Sequence, residues 1–114
     1  FNPVLEREVD RRHIHHYLLH RCIPPAGTDA ASLFQRHVES RGEECYLLYQ
    51  HVGRMPLQYC REVVHVFAVG GKAVFFPEHV GLPLSDPQNE YYMLQMHYDN
   101  PDLIPGLEVK WALE

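Results

Sequence analysis

The sequence predicts an all-β fold, an antiparallel β-sandwich with a jelly-roll-like arrangement of strands. Short apolar stretches rich in β-branched residues recur along the chain, proline and glycine separate them, and little of the sequence has helical periodicity. Hydrophobic residues make up 46% of the 114 positions, which is enough for a buried core. We therefore expect at most one domain, containing five or six short strands.

In the first third of the chain, the pattern predicts a strand, a loop and a short helix. The strand covers 13–21, where isoleucine, tyrosine and leucine supply apolar bulk. The loop at 23–32 contains two consecutive prolines and a glycine. Within 28–39, either Thr28 or Asp29 can cap a short helix that carries leucine, phenylalanine and valine.

The middle of the chain predicts three further strands. Residues 46–52 form a short apolar run, and 61–69 is rich in β-branched residues. The glycine pair at 70–71 interrupts this pattern, and 72–76 is apolar again. This arrangement predicts a hairpin in which 72–76 is the return strand.

The last third contains the clearest strand signal, at 90–99. The preceding segment 77–89 has three prolines and is predicted to be a loop, and 100–106 is predicted to be a turn. A final strand is predicted at 107–113.

Alternation along the predicted strand 90–99 assigns its side chains to two faces. The face that carries tyrosine, leucine and methionine at even positions is the expected core face, and it includes Tyr92, Met96 and Tyr98. His97 is therefore expected to point away from the core, where a metal ion can reach it from solvent.

Histidine is concentrated in HIHHYLLHRC (13–22), which has four imidazoles within eight residues. Neutral imidazole is the commonest protein ligand for zinc, copper and iron. In a regular strand, however, His15 and His16 project to opposite faces. Both can bind one ion only if the backbone is bulged or twisted there, or if the ion lies at a strand edge.

The charge distribution disfavours several classes of partner. The formal net charge is −5, and no basic cluster is present, so a nucleic-acid partner is disfavoured. No run of about 18 apolar residues exists, so we expect no membrane span. The opening FNPVLEREVDRR lacks the layout of a signal peptide.

The three cysteines, Cys22, Cys45 and Cys60, are an odd number. In a secreted chain this leaves one disulfide plus a cysteine that is free or has its partner elsewhere. None forms a C-x-x-C pair, so a structural zinc site is poorly supported.

Three sequence blocks carry a resemblance to a known family. They are HHYLLHRC (15–22), YCREVVHVFAVGGKAVFFPEHVGLPL (59–84) and YYMLQMHYDNP (91–101). In order and spacing they resemble the copper type II, ascorbate-dependent monooxygenases. PEHVGLPL and LQMHYDNP resemble the DBH-like branch of that family in particular. One departure is Phe67, which lies where the family usually has a tryptophan.

The resemblance implies that residues 1–114 are an incomplete first copper-binding domain of a two-domain catalytic core. Its copper ligands fall on His15, His16 and His97. The family uses this copper to transfer electrons from ascorbate to a second copper, where the substrate C–H bond is hydroxylated with oxygen. No segment here resembles that second site, so we expect no catalytic residues in this segment and no activity from it alone. The implied partners are the second copper domain and a small-molecule substrate, by analogy an amine.

The resemblance also implies the cysteine pairing and the location. Cys22 is expected to pair with Cys60, and Cys45 with a cysteine upstream of Phe1, which would then not be the native start. The family implies the secretory pathway.

Alternatives remain at this stage. His13 shares the predicted face of His15, so His13, His15 and His97 form a second ligand set. His65 is expected to be a satisfied core or boundary histidine, and the other four histidines are expected at the surface: His20, His37, His51 and His79. The alternative functions are a non-catalytic extracellular β-sandwich binding module and a zinc-binding secreted domain.

Overall fold

The computed structural model of the protein describes residues 1–46, 55–83 and 89–114. Its regular elements, in chain order, are β1 (Pro3–Val4), α1 (Glu8–His13), β2 (Ile14–Cys22), α2 (Ala30–Val38), a 3-10 turn (Leu57–Tyr59), β3 (Glu62–Ala68), β4 (Tyr91–Tyr98) and β5 (Ala112–Leu113). In the described part of the chain, no helix is long and apolar enough to cross a membrane.

The strands form two sheets. β1 and β5 pair antiparallel, with Pro3 opposite Leu113. The other sheet has the order β3-β2-β4, so β2 is its central strand. Antiparallel pairing of β2 with β3 is evident from its ends, because Val69 N–H donates to the His15 carbonyl while Ile23 N–H donates to the Tyr59 carbonyl. The predicted all-β, sandwich-like class is confirmed, since most of the regular structure in the described residues is strand in antiparallel sheets, with few helices.

Contacts divide the chain into two compact units. The first comprises the described residues of 1–18, 65–82 and 96–114, and the second those of 19–64 and 83–95. β2, β3 and β4 each contribute one end to each unit. The metal-ligand candidates from the sequence, at 15, 16 and 97, all belong to the first unit.

The second unit is built around a disulfide and a helix. Cys22 and Cys60 are disulfide-bonded and pack with Ala30 and Phe34 of α2 in one buried cluster. α2 begins where the sequence predicts, because the Asp29 carboxylate accepts a hydrogen bond from the Ser32 N–H at 2.9 Å. Ala30 and Phe34 place the apolar face of α2 against the disulfide.

The first unit has a core of β2 and β3 side chains. Ile14 and Tyr17 are buried, and the Tyr17 ring stacks on Phe67 at a centroid distance of 5.3 Å. Phe67 is thus a packing residue of this core.

A hydrogen bond to the Asp10 carboxylate ties α1 to the segment before β5. The buried Asp10 carboxylate accepts hydrogen bonds from the Arg7 guanidinium and from the Lys110 backbone N–H. α1 is not predicted by any local pattern in the sequence.

The strands predicted at 13–21, 61–69 and 90–99 are confirmed to within a residue or two at each end. The hairpin prediction was wrong. Gly70 does make a turn, with φ +84°, but 72–76 is not a strand of this sheet. Instead, Val74 exchanges two backbone hydrogen bonds of 2.9 Å with Phe1.

Two other structural expectations need correction, and a third lies almost wholly outside the described residues. The strand predicted at 107–113 is limited to Ala112–Leu113. The expected core face of β4 is only partly covered: Leu94 and Met96 are half-buried, but Tyr92 and Tyr98 are 40% and 49% exposed. On the other face, Tyr91 and Met93 pack against the disulfide cluster, while His97 is exposed as expected. The predicted strand 46–52 lies outside the described residues except for its first residue, which is helical.

Candidate metal centre

Both histidines of the HH pair face away from the core, because the alternation of β2 slips by one residue at this point. Ile14 is buried, and the next buried residues are Tyr17 and Leu19. Two consecutive side chains, His15 and His16, therefore lie outward between buried neighbours. This is the pattern that a β-bulge produces, and it removes the objection that a regular strand would separate the two rings.

His97 joins the pair from the neighbouring strand β4. The ring centroid of His97 lies 5.2 Å from that of His15 and 4.6 Å from that of His16. The His15 and His16 centroids are 5.2 Å apart. Each of the three histidines offers one possible ligand nitrogen, and these nitrogens all lie within 4.8 Å of one another. Among the described residues, these three side chains form the group that could hold a metal ion.

The donor atoms fit a single metal ion. The Nδ1 atoms of His15 and His16 are 2.9 Å apart, and those of His16 and His97 are 3.3 Å apart. Two nitrogens that each lie about 2.0 Å from one ion and subtend roughly 90–110° are about 2.8–3.3 Å apart. Three imidazoles suit copper, since nitrogen ligands accept both Cu(I) and Cu(II).

The protonation of the centre favours metal binding. Burial lowers the pKa of His16, and the nearby His97 and His15 lower it further when charged. His16 therefore stays neutral, as a ligand must be, to a lower pH than an isolated imidazole. His15 and His97 are exposed, so an ion can enter from solvent.

His13 is not a member of the cluster. It is the last residue of α1, is 7% exposed, and directs its Nδ1 at the Asp99 carbonyl oxygen, 2.7 Å away. The structure thus does not bring together the alternative set of His13, His15 and His97.

The remaining histidines differ in part from expectation. His20 was expected to be solvated, but both of its ring nitrogens are buried without a hydrogen-bond partner. His65 is buried as expected, although its Nε2 has no partner. His79 is an exposed loop residue, and His37 is half-buried rather than a free surface residue. His51 lies outside the described residues.

The cysteines take the arrangement that the resemblance implies for one pair. Cys22 and Cys60 are joined across a separation of 38 residues, and Cys45 is a half-buried free thiol. A partner for Cys45 upstream remains a prediction.

Comparison with known proteins points to one family. The family model described as "Copper type II ascorbate-dependent monooxygenase, N-terminal domain" matches residues 1–105. DBH-like monooxygenase protein 1 of Homo sapiens is 35% identical over 108 residues, which cover 92% of this chain and 15% of that protein. Dopamine beta-hydroxylase of Homo sapiens is 43% identical over 51 residues, 44% of this chain and 8% of that protein.

A third relative, tyramine beta-hydroxylase of Caenorhabditis briggsae, is 37% identical over 49 residues, 42% of this chain and 8% of that protein. No solved structure matches the chain. The chain therefore spans about 15% of the length of the DBH-like relatives that it matches.

Proposed function

This chain belongs to the copper type II, ascorbate-dependent monooxygenase family, and from that premise we propose that it carries the electron-transfer copper site of such an enzyme. The ligands are His15, His16 and His97. The observation that carries the proposal is the convergence of the three rings, with Nδ1 separations of 2.9 and 3.3 Å along the cluster.

The chain's own residues would supply three imidazole ligands to the ion. The outward slip of β2 presents two imidazoles, and β4 presents the third. Bound there, copper would supply one-electron chemistry, cycling between Cu(I) and Cu(II) with ascorbate as the reductant. His15 and His97 are exposed, and this leaves the centre accessible to a reductant in solution.

Hydroxylation itself is proposed for the whole enzyme. Oxygen activation and C–H cleavage would take place at a second copper domain, the partner of this one, and this segment alone would be inactive. A small amine is the proposed substrate class, because relatives of this chain are named as dopamine and tyramine hydroxylases. The Cys22–Cys60 disulfide supports a location in the secretory pathway, since disulfides persist in oxidising compartments.

Copper titration followed by electron paramagnetic resonance tests the proposal. We expect one equivalent of Cu(II) with nitrogen hyperfine coupling in the wild-type protein, and loss of that signal in His15→Ala/His16→Ala and in His97→Ala. His79→Ala is the matched control, because it removes an exposed histidine outside the cluster. Equal binding by the double variant would refute the assignment.

A redox titration separates the alternatives. A bound metal that is reduced by ascorbate and reoxidised supports the copper site. A metal with no accessible redox change favours a zinc-binding domain, and a folded protein that binds no metal favours a non-catalytic binding module.

A further inference from the structure

His13 joins the two strands that carry the three imidazoles of the cluster. Its backbone carbonyl accepts a hydrogen bond of 2.8 Å from the Asp99 N–H. Its ring Nδ1 in turn lies 2.7 Å from the Asp99 carbonyl oxygen. The two residues are 86 positions apart in the chain, so one residue pair makes both a main-chain and a side-chain connection between distant segments.

The contact fixes the proton on the His13 ring. A carbonyl oxygen can only accept a hydrogen bond, so Nδ1 must carry the proton and donate it. His13 is 7% exposed, which shields this hydrogen bond from competition with water. With Nδ1 committed to Asp99, the ring is a support for the strands and does not offer that nitrogen to a metal.

The location of this contact relates it to the cluster. His13 precedes His15 by two residues, and Asp99 follows His97 by two residues. At about 3.3 Å per residue, the contact lies within roughly 7 Å of each ligand along the backbone. On the opposite side of β2, the Val69 N–H holds the His15 carbonyl at 3.1 Å.

We propose that His13 is a positioning residue for the copper site, and that its ring sets the spacing between the β2 imidazoles and His97. A ligand constellation must be held within about 0.5 Å to bind well, and it depends on neighbouring hydrogen bonds for that precision. The inference rests on the proposed copper-binding function, but the arrangement of the metal-free rings can be measured without copper.

Two substitutions differ in where they place a donor. His13→Asn keeps an amide N–H two bonds from Cβ, where Nδ1 now lies, so it can still donate to the Asp99 carbonyl. His13→Gln carries the same amide one methylene farther out and moves the donor. Both variants are polar and close in size, which reduces the difference in their effect on folding. His79→Gln serves as a control for loss of an exposed histidine.

The first measurement is the set of nuclear Overhauser contacts between the ring protons of His16 and His97 in metal-free protein. We expect them in wild type and in His13→Asn, and their loss in His13→Gln. The second measurement is Cu(II) affinity together with the paramagnetic spectrum. We expect weaker binding in His13→Gln, by at most the roughly 10–100-fold that follows loss of a hydrogen bond made directly to a ligand. His13→Asn should return both readouts toward the wild-type values, which a purely global loss of stability would not do.

The outcomes separate the two ideas. Equal ring contacts and equal copper spectra in the Asn and Gln variants overturn the positioning role, whatever their unfolding temperatures. A different outcome is that the ring contacts are kept in His13→Asn and lost in His13→Gln, but the wild-type protein binds no copper. That result would overturn the proposed function and leave the positioning of the rings by His13 in place.

Discussion

The Nδ1 atoms of His16 and His97 lie 3.3 Å apart, although 81 positions separate the two residues in the chain. Such proximity is unfavourable when both rings are protonated, because two positive charges then face each other. At the proposed copper site, a bound cation and a proton would therefore compete for the same nitrogens, and copper binding there should depend on pH.

Copper affinity should fall as the pH drops below about 6, where imidazoles take up protons. The pKa of His16 is lowered by burial and by its two neighbours, so proton competition at His16 begins at a lower pH than for an ordinary histidine. Competition titrations with a chelator across pH 5–8 would measure the slope. An affinity that is constant over this range would argue against histidine ligands.

The ion pair of α1 predicts a dependence of stability on acid pH. Asp10 is 1% exposed, and the hydrogen bond from Arg7 holds the pKa of its carboxyl well below its usual range, against the opposing effect of burial. Because the folded-state pKa is depressed, this stabilisation is complete above about pH 4, the usual carboxyl range, and is lost as the pH falls below it.

Asp10→Asn should lower the free energy of unfolding at pH 7 and weaken its decrease between pH 4 and pH 2. Urea unfolding at several pH values provides the measurement. Asp102→Asn, which changes an exposed carboxyl group, is the control and should keep the wild-type profile. If Asp10→Asn retains the full acid dependence, the carboxylate does not contribute in this way.

Removal of the disulfide should destabilise the protein. Cys22→Ala/Cys60→Ala is expected to reduce the free energy of unfolding by about 2–4 kcal/mol, since the bridge restricts the unfolded chain over a 38-residue separation. Thermal unfolding with and without a reductant measures this. Cys45→Ala is the control. It removes a free thiol and no disulfide, so the variant should keep the wild-type free energy of unfolding.

The N-terminus of α2 depends on its capping carboxylate. Asp29→Ala should cost about 1 kcal/mol, because the Ser32 N–H then loses its acceptor. Asp29→Asn retains a side-chain oxygen and should remain close to wild type. Chemical denaturation of the three proteins would reveal no difference if the cap were unimportant.

Local signals predicted much of this fold. β2 and β4 follow from apolar runs bounded by turn residues, and α2 follows from a capping residue before an amphipathic stretch. The same is true of the metal-centre candidates: the HH pair and the histidine of LQMHYD are visible in the sequence, and they converge in the structure.

The remainder depends on contacts between distant segments. Val74 forms backbone hydrogen bonds with Phe1, and the segment 72–76 does not pair with β3 as a return strand. No local pattern in the sequence specifies which of these two partners the segment takes. Tyr91 and Met93 of β4 pack against the disulfide cluster, although His97 on the same face is exposed, and alternation alone cannot reveal which part of a face is covered. α1 is short and polar, and its support comes from Asp10 bonding to residue 110.

The irregularity at the start of β2 has a consequence for protein engineering. Grafting two consecutive histidines onto an evenly pleated strand would turn one ring inward, and the chelate would be lost. A transplant of this motif must also carry the additional residue between Ile14 and Tyr17, together with whatever anchors it on both flanks. Conversely, deleting one of the two imidazole-bearing positions would restore regular alternation between Ile14 and Tyr17, and only a single outward imidazole would remain.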